Sequence, residues 1–382
     1  MPDDLTSSTE ALLRLVLAGG ALPPRRALLA AFSDAAPAIR AGPGAWRAAG
    51  CTPAQRAGLA RPDRAALDRC LHWLAQPDHH LLGMGSDDYP TLLASMDMAP
   101  LALFVQGDPT ALWHPGVAVV GSRTPSPSGA ELAGEFAGGL ARSGLCVVSG
   151  LAAGVDARAH RAALEVAGGH TVAVVATGLD LTYPPQHAGL HARIAAQGAV
   201  VSEYPPGTQA RPGQFPARNR IVAGLTLGTL VIEAAARSGA LITARLAAEA
   251  GREVFALPGS VRNPRARGCH RLIRDGAQLV EHPDEVIAGL AGLAGLASSL
   301  GQALRSRLDA PTEQARPTMP TPSPYLQPDY QRLWQSLDEN PTGMDSLIQR
   351  SGLTATQLSA MLLIMELDGK VVATHGRYCR KP

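Results

Sequence analysis

Between residues 117 and 280 the chain alternates short apolar runs with longer amphipathic stretches. The runs Val117–Val120, Leu145–Val148, Thr171–Ala176, Ala199–Val201, Thr229–Ile232 and Glu253–Leu257 are nearly continuous in apolar residues, and Ala277–Val280 is a seventh candidate. Such runs mark strands buried on both faces, the pattern of parallel sheets. Helical periodicity lies between them, over Ser128–Arg142, Val155–Ala167, Pro185–Gln197, Arg218–Leu225 and Ala240–Ala250. This alternation predicts an α/β fold: a Rossmann-like, mostly parallel sheet with helices on both faces. Ligands of such sheets gather at the carboxyl ends of the strands.

The flanks follow other patterns. Residues 10 to about 80 read as wholly helical, with apolar segments at Leu12–Leu17 and Ala27–Phe32 and a loop-rich connection at Pro37–Gly50. Thr52-Pro53 starts a further helix in cap-then-proline order, and Pro62–Leu74 forms the last. A small helical module of the SAM or helix-hairpin-helix kind either touches nucleic-acid backbone or serves as a plain docking domain, and the docking domain is the simpler reading. The connector from Tyr89-Pro90 to Gly107 predicts an ordered loop and an edge strand, because proline is excluded from helix interiors and central strands. Residues 306–328 are rich in Pro, Thr and Ser and read as a flexible linker. Beyond it, helices over Tyr330–Leu337, Met344–Arg350 and Thr356–Leu367 precede a strand at Val371–Thr374 and a returning strand from Gly376, the order of a winged helix-turn-helix. The expected domains are therefore 1–80, 81–290 (a lead-in over 81–114, then the sheet over 115–290), a linker over 291–327, and 328–382.

Charge and composition narrow the picture. The 382-residue chain has a formal charge of +2, so no global polycation argument applies. Eleven arginines lie between Pro205 and Asp275 against only Glu233, Glu249, Glu253 and Asp275, a local surplus suited to an anionic partner. Only Lys370 and Lys381 are lysines, a bias that a GC-rich genome produces. From Pro328 onward six basic residues meet six acidic ones, and Thr356–Leu367, the presumed recognition helix, carries no basic residue, so charge does not support DNA reading by that unit. The five cysteines are far apart, without metal spacing, and read as reduced thiols of a cytoplasmic protein. Val286–Leu304 has no charge, but its leucines at helical spacing suit one packed face rather than a membrane span.

Candidate chemistry clusters at the predicted strand ends. After the first strand stands Gly121-Ser122-Arg123, which is neither a dinucleotide fingerprint nor a Walker loop. At a helix start it offers backbone N–H groups, a hydroxyl and a guanidinium to a phosphate. After the second come Ser149-Gly150 and Gly154-Val155-Asp156, with His160 four residues beyond Asp156. That pair reads as an acid/base couple or, with no nucleophile or third partner evident, as a local helix-stabilising contact. Phe215 with Arg218-Asn219-Arg220 follows at a loop-to-helix boundary; guanidinium groups suit phosphates and an exposed ring suits a stacked base. Glu233, at the end of the fifth strand, reads as a general base, as a ligand of a ribose hydroxyl, or as the partner of Arg218, Arg220 or Arg237, and the arginine surplus favours pairing. Ser238-Gly239 starts the helix from Ala240 with another anion-ready N-terminus, and Arg262, Arg265, Arg267, Arg271 and Arg274 extend the basic surface. Together these residues point to a single-stranded DNA groove with no metal and no cofactor.

The block from Tyr89 to about Val286 resembles the DNA-processing protein A family (DprA, also called Smf). The resemblance rests on Tyr89-Pro90, Gly121-Ser122-Arg123, Ser149-Gly150, Gly154-Val155-Asp156, His160, Phe215, Arg218-Asn219-Arg220, Glu233-Ala234-Ala235, Ser238-Gly239, Leu257-Pro258-Gly259 and Gly268-Cys269, in that order. It implies a homodimeric, non-enzymatic protein that binds single-stranded DNA and loads the RecA recombinase in natural transformation and recombinational repair. Single-stranded DNA-binding protein would be a further partner. Arg123 and Arg218 would hold phosphates, and Phe215 would stack a base. Many relatives carry a lysine shortly before that phenylalanine; here Arg211 and Pro212 stand there. A different class of reading is a phosphoribohydrolase of the lysine-decarboxylase-like group. Gly228-Thr229-Leu230-Val231-Ile232-Glu233 matches that group's Gly-Thr-x-x-Glu element only with an extra residue, and its Pro-Gly-Gly lead-in is replaced by Leu225-Thr226-Leu227.

Overall fold

A computed structural model describes residues 8–293, 328–337, 342–354, 358, 361, 362, 365, 370–374 and 377–380. They fall into two compact units, divided between residues 310 and 311.

The first unit opens with six helices: α1 (Ser8–Leu17), α2 (Leu22–Phe32), α3 (Ala35–Arg40), α4 (Gly42–Ala48), α5 (Pro53–Ala60) and α6 (Arg64–Leu74). The Pro37–Gly50 stretch, expected as loop, is thus mostly helical. Asp34 caps α3, Gly42 turns the chain at φ +75°, and Pro43 sits in the first turn of α4, where a missing N–H costs nothing. Trp46 then buries its ring and donates to the Ala38 carbonyl at 2.9 Å. Thr52 and Gln55 form a reciprocal capping box on α5. One side of these helices packs on itself through Leu15, Leu28, Trp46 and Leu59. The other side, with Leu13, Leu67, Cys70 and Trp73, packs against Phe104, Leu151, Leu179 and Ile194, so the helical region and the sheet share a core.

The sheet has nine strands: β1 (His79–Gly83), β2 (Ala102–Gly107), β3 (Gly116–Val120), β4 (Cys146–Ser149), β5 (Thr171–Val174), β6 (Ala199–Ser202), β7 (Gly228–Val231), β8 (Glu253–Ala256) and β9 (Gln278–Leu279). Their order is β1-β2-β6-β5-β4-β3-β7-β8-β9; β1–β2 and β2–β6 are antiparallel and every other pair is parallel. All seven expected strands are present. The expected edge strand is β2, but β1 lies outside it. Pro90 and Pro100 precede β2, so it pairs on both sides, and Leu103, Phe104 and Val105 are fully buried. Eight α-helices complete the layers: α7 (Thr91–Ala94), α8 (Pro127–Arg142), α9 (Val155–Leu164), α10 (Ala188–Gln197), α11 (Gln214–Gly224), α12 (Ala240–Glu249), α13 (Arg267–Arg274) and α14 (Pro283–Leu293). Side chains alternate across the sheet: Val117 and Val119 meet Phe136, Leu140 and Leu290 on one face, while Ala118 and Val120 join the core with Ile221, Val222 and Ala244 on the other. Strands run leftward from β3 through β4 and rightward through β7, which puts the topological switch at the carboxyl ends of β3 and β7.

Val286, Ile287 and Leu290 bury one face of α14 on the sheet, while the rest of the uncharged stretch, beyond Leu293, lies outside the described residues, as does the Pro-rich linker up to residue 327. No described helix is long and apolar enough to cross a membrane.

The second unit is a winged-helix domain. It contains α15 (Pro328–Ser336), β10 (Thr342–Gly343), α16 (Met344–Ser351), β11 (Val371–Thr374) and β12 (Arg377–Arg380), with the strands ordered β10-β12-β11. The helix expected over Thr356–Leu367 falls largely outside the described residues; Leu358, Met361, Leu362 and Met365, which are described, are buried in this unit's core with Leu333 and Leu347.

Candidate functional site

A cavity of about 560 Å³ opens at the carboxyl ends of the parallel strands, lined from the loops after β3, β4, β5, β6 and β7. Gly121 begins the first of these loops; a Cβ there would stand 2.7 Å from Val155, so only glycine permits the approach of α9. Arg123 is exposed, and its guanidinium lies 5.6 Å from the centre of the Phe215 ring, a cation–π contact. Ser122 turns into its own loop, where its Oγ accepts from the Thr124 N–H at 3.1 Å.

The helix that follows is not the anion site its position suggests. Ser126 caps α8, accepting from the Gly129 N–H at 3.0 Å, and donates its hydroxyl to Glu233 at 2.6 Å and its N–H to the same carboxylate at 2.8 Å. Asn263 adds a third donor at 3.0 Å. Glu233 is therefore neither an arginine partner nor an open general base; it is buried as an internal anion at the start of α8.

The loop after β4 is equally built. Ser149 is fully buried and donates to the Val119 carbonyl at 2.7 Å, so its hydroxyl braces the sheet and does not face the cavity. Gly150 lines the cavity, and a Cβ there would come within about 2.6 Å of the Arg218 guanidinium carbon. Asp156 accepts through Oδ2 from the N–H groups of Gly150 (3.2 Å) and Ala152 (3.3 Å). The expected Asp156–His160 pair does not form. His160 meets Thr171 Oγ1 at 2.7 Å, and because that hydroxyl donates to the Val147 carbonyl, the imidazole donates through Nδ1. Complete burial pushes the His160 pKa down to about 3, with the nearby Arg218 charge adding to the effect.

Helix α11 starts at Gln214, four residues before the expected boundary, because Pro216 in its first turn needs no hydrogen-bond donor. Phe215, Arg218, Asn219 and Val222, at positions i, i+3, i+4 and i+7, consequently face the cavity together. Arg218 is 5% exposed, and its Nη1 donates to the Val174 carbonyl. Burial lowers its pKa to about 10, with Asp156 opposing the fall. Arg220 points the other way and pairs with Glu203 at 2.5 Å, outside the cavity lining. Arg211 is exposed at the turn into α11; the neighbouring Pro212 lines the cavity, whereas Arg211 does not.

Tyr183 is a residue that sequence reasoning missed. It is 46% exposed, lines the cavity, and sets its ring 5.3 Å from that of Phe215. The available signal was an aromatic in Thr182-Tyr183-Pro184-Pro185, a turn directly after a buried strand. Beside α11, α12 begins at the cavity with Ser238 and Gly239; Gly239 brings no capping side chain, Ser238 Oγ accepts from the Ala240 N–H at 3.3 Å, and Asn219 donates to the Gly239 carbonyl at 3.4 Å. Of the twelve expected binding residues, Gly121, Arg123, Gly150, Phe215, Arg218, Asn219, Ser238 and Gly239 therefore line one cavity, and Ser122, Ser149, Arg211 and Arg220 do not.

Residues 80–291 match the family model of DNA recombination-mediator protein A, and residues 317–377 match that of the DprA winged helix domain. The chain belongs to the DprA/Smf family. This DprA/Smf protein is 40% identical to Protein Smf of Escherichia coli (strain K12) over 319 residues, covering 83% of this chain and 81% of that one. It is similar to the X-ray structure of DNA processing protein A from Streptococcus pneumoniae, at 36% identity and a TM-score of 0.65, over 74% of this chain and 98% of that one. A second solved structure, at 30% identity and a TM-score of 0.51 over 56% of this chain and 95% of that one, describes the single-stranded DNA binding mode of DNA processing protein A from Helicobacter pylori.

Proposed function

We propose that this DprA/Smf protein binds single-stranded DNA in the strand-end cavity and loads RecA onto the bound strand, in natural transformation and recombinational repair, as a cytoplasmic homodimer and without catalysis. One observation carries the binding reading: two aromatic rings, Phe215 and Tyr183, lie side by side on a cavity wall with the Arg123 guanidinium over Phe215. Unstacked bases offer a π-face that such rings accept, and a duplex does not. The single-stranded DNA binding described for the H. pylori relative supports the same reading. The phosphoribohydrolase alternative would require Glu233 to be available for chemistry, and three hydrogen bonds hold that carboxylate in the start of α8. For the homodimer, β9 is the outermost strand of the sheet and exposes Leu279 at 45%, an apolar edge that a second copy would cover. Single-stranded DNA-binding protein is a further partner, and the winged-helix unit serves protein contact or dimer support.

Fluorescence anisotropy with matched single- and double-stranded oligonucleotides across salt concentrations tests the binding. Preference for the single strand, weakening with salt, is expected; a preference for duplex would refute the stacking argument. Loading is tested separately by whether the protein accelerates RecA filament formation on strands coated with single-stranded DNA-binding protein.

A further inference from the structure

From Pro328 onward the chain has no net formal charge, yet three arginines of the winged-helix unit line one cleft of about 530 Å³. They come from separate elements: Arg332 from α15, Arg350 from the last turn of α16 and Arg380 from the end of β12. Arg380 is fixed in place. Its guanidinium lies 4.6 Å from the centre of the Trp334 ring, and its Nη2 donates to the Trp334 carbonyl. Its Nε is buried without a partner, and its Nη1 donates to nothing among the described residues. Arg350 is exposed and makes no hydrogen bond or ion pair among the described residues. Arg332 meets only Asp329, at 3.7 Å, with side chains 59% and 46% exposed, a pair too open to consume its charge. The two serines that line the cleft turn their protons inward, Ser336 to the Arg332 carbonyl at 2.7 Å and Ser351 to the Leu347 carbonyl at 2.6 Å. The guanidinium groups are left as donors.

Arginines near helix C-termini often serve the helix itself, by donating to its last carbonyls. Of these three only Arg380 does so, at Trp334 of α15. Against the three guanidinium charges stand Asp329 and the C-termini of α15 and α16, each terminus worth roughly half a negative charge, so about one positive charge is unanswered. A single carboxylate matches that charge, and its two oxygens match the flat fork of a guanidinium held against an indole. Nucleic acid matches poorly. Its backbone presents charge at regular intervals and calls for cations in a row, whereas these three surround one cleft. Thr356–Leu367, the presumed recognition helix, carries no basic residue. We infer that the winged-helix unit takes an acidic peptide of a partner protein, with one carboxylate held in the cleft by Arg332, Arg350 and Arg380. The inference rests on the reading of this unit as a protein contact and is independent of the strand-end cavity.

The test uses the full chain and anisotropy of a short fluorescein-labelled glutamate-rich peptide with a free C-terminus. Companion peptides carry an amidated C-terminus, glutamine in place of glutamate, or both changes. Saturable binding of the first peptide, weakening with salt, is expected. Loss on amidation would assign the cleft to a chain end, and loss with glutamine to an acidic side chain. No binding, or equal binding of the peptide changed in both ways, would overturn the proposal. Arg350→Ala should weaken binding about tenfold, the worth of one hydrogen bond to a charged group. Arg350 is exposed and unpaired among the described residues, so the fold does not depend on it. Arg47→Ala removes an exposed charge from the first unit and should change nothing; an equal loss there would mean general charge attraction and overturn the site. A shift toward monomer on sedimentation of Arg350→Ala, without peptide binding, would overturn the proposal and leave dimer support standing. Duplex binding that falls in Arg350→Ala, again without peptide binding, would assign the cleft to phosphate and overturn the protein-contact reading as well.

Discussion

Helices α8 and α12 each follow a central strand of the sheet and each begin near the same cavity, yet they meet the charge of their N-termini in opposite ways. The start of α8 is satisfied from within, by the Ser126 cap and by the Glu233 carboxylate arriving from the end of β7. The start of α12 has Gly239 as its cap, with open space where a side chain would be, and faces the cavity. A helix start at a strand end is thus not in itself a phosphate site; it becomes one only where the protein has not already supplied the anion. The internal carboxylate stiffens the junction of β3, β7 and α8, and the open helix start leaves a partial positive charge for a ligand.

The largest effect should come from removing the internal anion. Glu233→Ala leaves the Ser126 N–H and hydroxyl and the Asn263 amide without their acceptor, and should cost about 3 kcal/mol of stability in urea denaturation. A loss below about 0.5 kcal/mol would mean that α8 does not depend on it. Phe215→Ala comes next, with a loss of about 1–3 kcal/mol in single-strand affinity by anisotropy. Gly239→Asp gives α12 what α8 already has: about tenfold weaker single-strand binding, with stability unchanged or raised by about 0.5 kcal/mol through the new cap. Unaltered affinity in this variant would erase the functional contrast between the two helices. The smallest effect should be Arg123→Ala, which lowers the slope of log affinity against log salt by about one; Arg220→Ala, which breaks a contact outside the cavity, should leave that slope where it is.

The parallel strands were legible because β-branched residues fill both faces of runs such as Val117–Val120, a signal carried within four residues. β1 was not legible: only Leu82 of His79–Gly83 is buried, so an outer strand paired on one side leaves little periodicity. The cavity was legible as a set of residue types, and Phe215, Arg218 and Asn219 do share a helical face. What the sequence did not show was direction. Arg218 and Arg220 are two residues apart on a helix, about 200° in angle, so one faces the cavity and the other Glu203. The partners of Glu233 lie 107 and 30 residues away in sequence, beyond any local pattern, and a local surplus of arginine suggested the wrong ones.

The shared core between the N-terminal helices and the sheet has a consequence for how the family's parts separate. Leu67, Cys70 and Trp73 of α6 share one buried core with Leu151 and Leu179, and Leu151 lies between Gly150 and Ala152 in the loop that lines the cavity. Leu151 holds a left-handed backbone at φ 56°, a conformation that a bulky residue keeps only while its surroundings enforce it. A version of the chain shortened to begin near β1 would strip the covering from that leucine and let the loop relax. The helical module then acts less as an appendage than as a mould: a graft of this sheet onto a different N-terminus would inherit a loosened cavity.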